Sequence, residues 1–176
     1  MERYDLYDRQ RNRLGRTALR GEAPPAGTFR LVIHVALFHP DGRLLIQQRQ
    51  QDTHRWHGLW DLSAGGGVVA GETSWQAAQR ETMEELGLSL DLSGERPALS
   101  VSFPRGFDDI YLVEYPVDLA ALTLQKEEVQ AVRWAGREEI HAMIAAGTFI
   151  PYHGGLIDLL FGMQRVPGSH RSRMGR

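Results

Sequence analysis

Cysteine is absent from the 176-residue chain, and that absence alone removes a disulfide framework and a thiolate site from consideration. No apolar run approaches the length of a membrane span, and the start, MERYDLYDRQRNRLGR, lacks an apolar stretch of signal-peptide length. A cytoplasmic protein without a membrane partner is expected. Neither sign of charge prevails, since 20 Lys and Arg stand against 22 Asp and Glu for a net −2. Outside the N-terminal segment and the Arg-rich end there is no basic stripe of the kind a nucleic-acid partner would need. No internal repeat occurs, and with 42% hydrophobic residues the chain suits one domain with a sizeable core.

The informative stretch is GGGVVAGETSWQAAQRETMEELGL, Gly65 to Leu88. Its second half reads as one amphipathic helix: Thr73 and Gln76 have capping-box spacing at the start, and Gly87 supplies a left-handed stop. Glu81, Glu84 and Glu85 fall at i, i+3 and i+4 within an arc of roughly 100°, while Trp75, Ala78, Thr82, Met83 and Leu86 are assigned to an opposite, core face. Like charges at that spacing destabilise a bare helix, so a positive group is expected over them, and a hard divalent cation with oxygen ligands meets the need. Gly65, Gly66, Gly67 and Gly71 permit a tight path in which carbonyl groups turn inward, with Glu72 following. The alternative is a surface helix with a solvated acidic face.

Elsewhere, Tyr4 to Tyr7 and the segment from Gly15 to Leu19 read as short strands, and Glu22 to Thr28, with Pro24, Pro25 and Gly27, as a linker. Residues 1–28 are expected to be an extension packing on the sheet, its arginines either solvated or forming a lip that attracts phosphates. Arg30 to Phe38 suits a strand buried on both faces. His39 to Gly42 turns the chain, and Arg43 to Arg49 returns as the hairpin partner. His34, inside that strand, is read as a buried, hydrogen-bonded residue rather than a ligand. Gln50 to Trp60 is a polar loop in which Arg55 and Trp56 could neutralise or stack on a phosphorylated ligand, with Trp60 as core beneath. Ala98 to Phe103 and Ile110 to Tyr115 read as strands joined by a loop from Phe103 to Asp109 that, with Phe103, would help select the substrate. Val129 to Trp134 is another strand, and Arg137 to Ala146 a helix. A last helix, Leu156 to Met163, would bury Leu156, Ile157, Leu159 and Leu160. Residues 29–164 then form the domain and 165–176 a disordered tail. Strands before and after a central helix, with helices at the end, give an α/β (α+β) fold with a mixed sheet between helices.

These residues resemble the signature of the Nudix hydrolase family, G-x5-E-x7-R-E-U-x-E-E-x-G-U. Gly66, Glu72, Arg80, Glu81, Glu84, Glu85, Gly87 and Leu88 fall in register, with Thr82 where an aliphatic residue is usual. Thr is β-branched and of nearly Val volume, a tolerable core substitution with a hydroxyl to satisfy. Seven fixed residues, each near roughly 7% in background frequency, coincide by chance in about one in a million chains of this length, which sets the solvated acidic helix aside. The resemblance covers roughly Phe29 to Phe161 and implies the Nudix α/β/α sandwich with a mixed central β-sheet. It implies hydrolysis of a pyrophosphate bond in a nucleoside diphosphate derivative or related small-molecule diphosphate, dependence on Mg2+ with Mn2+ as a substitute, and a homodimer.

The resemblance also implies roles. Glu84 and Glu85 would be metal ligands with the Gly66 carbonyl, Glu72 would steady the loop and be available to the metal, and Glu81 would be a ligand or the general base. Arg80 would orient Glu81 through a bidentate contact that Lys could not replace. Family members often add an acid from a later loop, for which Glu128 is the candidate; a solvated strand-end charge is the alternative. The hairpin, the following loop and the YDRQRNRLGR start look most like the branch resembling isopentenyl diphosphate isomerase. That isomerase resemblance implies a catalytic cysteine just before the signature, and the chain has none. A catalytically silent nucleotide-binding module is the third reading, and the intact carboxylate set counts against it.

Overall fold

The computed structural model describes residues 2–51, 56–164, 166 and 168. Strands β1 (Arg3–Tyr7) and β2 (Arg13–Leu19) pair antiparallel in a two-stranded sheet of their own, joined to the remainder by a bridge between Tyr7 and Phe29. The main sheet holds β3 (Arg30–Phe38), β4 (Leu44–Arg49), β5 (Trp60–Asp61), β6 (Ala64–Gly67), β7 (Leu99–Phe103), β8 (Gly106–Glu114) and β9 (Val129–Ala135). Helices α1 (Ser74–Leu86), α2 (Arg137–Ala145) and α3 (Gly154–Met163) complete it.

β3 is the central strand. Ile33, Val35 and Leu37 enter one hydrophobic layer while Ala36 and Phe38 enter the other, as a two-residue side-chain period requires. β8 runs parallel to it from the Arg30–Gly106 pair to Phe38–Glu114. On its other edge the expected hairpin with β4 closes at Phe38–Leu44, after which β4 leaves to pair with β5 and β9. The vacated edge is taken by β6, aligned antiparallel with Val32 to Val35. Glycine permits this approach: a Cβ on Gly65 would lie 2.6 Å from the His34 ring.

The segment from Phe103 to Asp109 is not a loop. Phe103 pairs with Gly106, so Pro104 and Arg105 alone make the turn, and Asp108 and Asp109 belong to β8. Glycine and aspartate are poor strand formers, but a Cβ on Gly106 would lie 2.2 Å from the Arg30 carbonyl oxygen, and both aspartates find partners. His34 contacts Asp108, while Arg11 and Ser100 donate to the fully buried Asp109.

α1 covers one face of the sheet with Ala77, Ala78 and Leu86 against Val35, Leu37 and Tyr111. α2 and α3 cover the other with Ile140, Ile157 and Leu160 against Phe38 and Ile46. Each buried Leu, Ile, Val or Phe side chain among these contributes about 1.5–3 kcal/mol. The result is a mixed α/β/α sandwich. Two residues assigned to the core lie outside it: Met83 is 46% exposed and Leu159 37%. On α1 the buried arc centres near Glu85, and Met83 falls roughly 160° away at 100° per residue. On α3 the inner stripe belongs to Ile157 and Leu160, three residues apart. Among the described residues no helix is long and apolar enough to cross a membrane. Most of 165–176, the expected tail, lies outside the described residues.

Candidate functional site

Local chemistry fixes α1 at both ends. The Thr73 hydroxyl accepts from the Gln76 backbone N–H at 3.4 Å, and the Gln76 side-chain oxygen accepts from the Thr73 backbone N–H at 2.8 Å. Gly87 ends the helix at φ 66, a left-handed turn that costs glycine little. Inside, the buried Thr82 hydroxyl donates to the Ala78 carbonyl at 2.7 Å, so the departure from the aliphatic pattern leaves no orphaned polar group.

Arg80 gathers the acids. Its Nε and Nη2 donate to the two oxygens of Glu72 at 2.9 and 3.1 Å, and Nη1 donates to Glu81 and Glu84 at 2.9 Å each. Nη2 also reaches the Gly67 carbonyl at 2.9 Å, and Glu72 accepts the Val69 N–H at 2.9 Å. One guanidinium therefore ties the helix to the glycine loop. Burial works against its charge, but the Glu72 hydrogen bond and the Glu81 charge prevail and hold it more firmly protonated than usual.

The acids are not on a solvated face. Glu81 is 5% exposed and Glu85 2%, while Glu84 keeps half its side chain in solvent. Burial pushes the Glu81 pKa up, with Arg80 pulling against it. Glu85 has no basic partner among the described residues. One of its oxygens accepts from the Gly65 N–H at 3.1 Å and from Gln47 Nε2 at 3.0 Å. Burial, followed by the charge of Glu81, pushes its pKa up to about 8. The other side-chain atom of that amide, Gln47 Oε1, is buried with no hydrogen-bond partner.

Gly66 has no room for a side chain, because a Cβ there would lie 2.0 Å from Glu81 Oε1. Gly66→Ala is expected to displace that carboxylate and cut turnover at least about tenfold, while the melting temperature falls by only a few degrees. Turnover assays beside thermal melts check this; wild-type turnover in the variant would separate Glu81 from the chemistry.

A cavity of about 550 Å3 opens against β6, lined by Gly65 to Gly67 and by Glu128, Trp56 and Phe103. Of the acids read from the signature and its later loop, Glu128 alone lines it; Glu81 and Glu85 lie behind that wall, against Gly66 and Gly65. Trp56 is 46% exposed and holds φ 57, a backbone conformation uncommon for a bulky residue. Arg55 lies outside the described residues. Trp60 is partly buried against the α2–α3 layer, with the Arg133 guanidinium 4.9 Å from its ring centre.

Sequence reasoning missed the network on another wall of the cavity. His34, Arg49, Asp61 and Tyr152 line it. His34 Nδ1 meets Asp108 at 2.9 Å and Nε2 meets the Tyr152 hydroxyl at 3.3 Å. That hydroxyl donates to Asp61 at 2.7 Å, and Arg49 donates to the other Asp61 oxygen at 3.4 Å. Burial lowers the His34 pKa, but the Asp108 hydrogen bond and charge outweigh it and lift the value to about 9, so both ring nitrogens donate at neutral pH. Of these only His34 stands out in the sequence; it is hydrogen-bonded as expected, but it is half-buried on the cavity wall rather than enclosed in the core. Its partners lie 74 and 118 positions away, where no spacing rule reaches.

Among the described residues no three acidic or imidazole side chains converge in a finished metal cage. The donor set still fits a hard divalent cation: every candidate donor is oxygen, Glu85 is buried without a counter-charge, and an orphaned amide oxygen belongs to its own hydrogen-bond partner.

Known proteins share this sequence pattern and this fold. The NUDIX domain model matches residues 28–157. The uncharacterized Nudix hydrolase lmo0368 of Listeria monocytogenes is 46% identical over 170 residues, 97% of this chain and 99% of that protein. An isopentenyl-diphosphate Delta-isomerase of Streptomyces coelicolor is 32% identical over 139 residues, 76% of this chain and 71% of that protein. The crystal structure of DR0079 from Deinococcus radiodurans superposes with a TM-score of 0.73 at 27% identity, covering 93% of this chain and 100% of that one. The resemblance read from the signature, including its isomerase-like branch, and the mixed α/β/α architecture are both borne out. The chain belongs to the Nudix family and is a hydrolase of diphosphate bonds, in a family that generally uses divalent metals.

Proposed function

We propose that the chain cleaves the pyrophosphate bond of a nucleoside diphosphate derivative or a related small diphosphate, with Mg2+ as its cation and Mn2+ as a substitute. One observation supports this most. Arg80 holds Glu72, Glu81 and Glu84 together behind the glycine strand that lines the cavity, while Glu85 is buried beside them with no basic partner among the described residues. Cleaving a phosphoanhydride builds charge on phosphoryl oxygens and needs little covalent help, so cations and a well-aimed water do most of the work.

The Glu84 and Glu85 carboxylates with the Gly66 carbonyl would hold the cation, and Glu72 and Glu128 are further donors. When bound, it would neutralise phosphoryl charge and make a water more acidic. Arg80 keeps Glu81 in place. Glu81, whose burial raises its affinity for a proton, takes up the proton of the attacking water. Trp56 and Phe103, on the cavity wall, stack on the organic group; Arg55, read from the sequence as a partner for its phosphates, lies outside the described residues.

Trp56→Ala is accordingly expected to raise KM about fivefold or more with kcat within about twofold, the pattern of lost uniform binding. Steady-state kinetics on the best substrate checks it, and an unchanged KM would remove the stacking role. The substrate itself is found by assaying nucleoside diphosphate sugars, dinucleotides, nucleoside di- and triphosphates and non-nucleotide diphosphates with Mg2+ and with Mn2+. Binding without turnover across that panel would favour a silent binding module. The likeness to the Streptomyces isomerase makes isopentenyl diphosphate a necessary member of the panel, where isomerised product would displace the hydrolase reading. The reading extends to a homodimer in the cytoplasm, the first part of which light scattering tests.

A further inference from the structure

The N-terminal hairpin does more than cover the sheet. Glu2, Arg3, Tyr4 and Arg20 line the same cavity as Gly65 to Gly67. The hairpin is fastened to the loop carrying Glu72. The Ala70 N–H donates to the Arg3 carbonyl at 2.9 Å, the Gly71 N–H to Asp5 at 2.9 Å, and the Arg13 guanidinium to the Glu72 carbonyl. Its cavity end is therefore held relative to the acids of α1.

The two arginines it brings to the cavity differ in their engagements. Arg3 turns its Nε across the hairpin to the Thr17 hydroxyl at 2.7 Å. Arg20 pairs with Glu2 at the cavity wall, with side chains 54% and 36% exposed. The Glu2 hydrogen bond strengthens the hold of Arg20 on its proton, and the charges of Glu81 and Glu128 reach it as well. A carboxylate on a guanidinium occupies the geometry a phosphate would use. So exposed a pair is weakly held, and a doubly charged phosphate group offers the guanidinium a more strongly charged partner of the same geometry.

We propose that Arg20 receives a terminal phosphate of the substrate, with the Glu2 carboxylate as its resident stand-in. The hairpin thereby selects diphosphates that end in an uncapped phosphoryl group over those whose second phosphorus carries a further ester. This rests on the hydrolase reading for placing a diphosphate in the cavity.

The test is calorimetric binding, without added metal, of adenosine 5′-diphosphate, adenosine diphosphate glucose and inorganic pyrophosphate to the full chain. Arg20→Ala is expected to weaken adenosine diphosphate and pyrophosphate about tenfold or more, a loss of about 1.4 kcal/mol, and to leave the capped sugar nucleotide within twofold. Arg20→Lys recovers part of the loss, since it keeps the charge without the fork. Glu2→Gln removes the competitor and tightens the two uncapped ligands. Equal effects on all three ligands in Arg20→Ala, no effect on any, or no binding of the uncapped ligands by the wild type overturns the proposal. Hydrolysis is scored separately by phosphate release with Mg2+. Turnover with capped and uncapped substrates that ignores Arg20 retains the hydrolase and discards the lip. Arg20-dependent selection of uncapped ligands without turnover does the reverse.

Discussion

Glu85→Gln is expected to lower turnover at least about 100-fold and, in the same protein without metal, to raise the melting temperature. The two effects share one cause. Glu85 is a buried carboxyl whose pKa stands at about 8 in the folded chain and near about 4.3 in an unfolded one. Below the lower value both states carry the proton and nothing is lost. Between the two values the unfolded chain gives up its proton while the folded chain keeps it, so stability drains away as pH climbs towards 8. A neutral glutamine of the same shape escapes that drain. Its oxygen can accept from Gly65 and Gln47 as Glu85 does, and its NH2 can meet the orphaned Gln47 Oε1. The gain in melting temperature should therefore be several degrees larger at pH 8 than at pH 5. Melts in a chelator at both pH values check it. Mg2+ should stabilise the wild type at pH 8 and leave the variant almost unmoved. A variant less stable than wild type at pH 8 would show that the carboxylate is ionised and satisfied without a cation.

Arg80 is expected to give the opposite result, losing activity and stability together. Arg80→Ala strips the counter-charge from buried Glu81 and the bidentate partner from Glu72. Removing one member of a buried pair costs about 3–5 kcal/mol. Turnover should fall about 100-fold or more as Glu81 and the loop lose their reference point. Arg80→Lys restores one positive charge, but an ammonium cannot span Glu72, Glu81, Glu84 and the Gly67 carbonyl together, so most of the activity should stay lost. Urea melts measure the stability, and hydrogen exchange at the Val69 amide, which donates to Glu72, reports the loop. A lysine variant indistinguishable from wild type would reduce Arg80 to a simple counter-charge.

How much of this was legible beforehand depended on distance along the chain. Both ends of α1 were readable because Thr73, Gln76 and Gly87 act on backbone within a turn of themselves. The order of acids along the helix was readable, but their environment was not. A face holding three glutamates reads as polar, yet two of them, Glu81 and Glu85, turned inward because the Ala77, Ala78 and Leu86 side chains that drive burial flank them, while Glu84 stayed half in solvent. Met83 was displaced to solvent by the same rotation. β8 was cut short because Gly106, Asp108 and Asp109 are locally wrong for a strand. They are right only next to Arg30, His34 and Arg11, which lie far off in sequence. Asp61 and Tyr152 show the same limit, being partners 91 positions apart.

The two alanines beneath α1 set the height of that helix above the sheet. Both are fully buried, and a bulkier residue at either would act as a shim, tilting the row of glutamates away from Gly65 and Gly66 before it endangered folding. The layer under α3 reaches the cavity differently, by packing against Tyr152, whose hydroxyl joins His34 and Asp61 on the other wall. A change of volume in that layer is felt first as lost packing, whereas the α1 layer works as a gauge block.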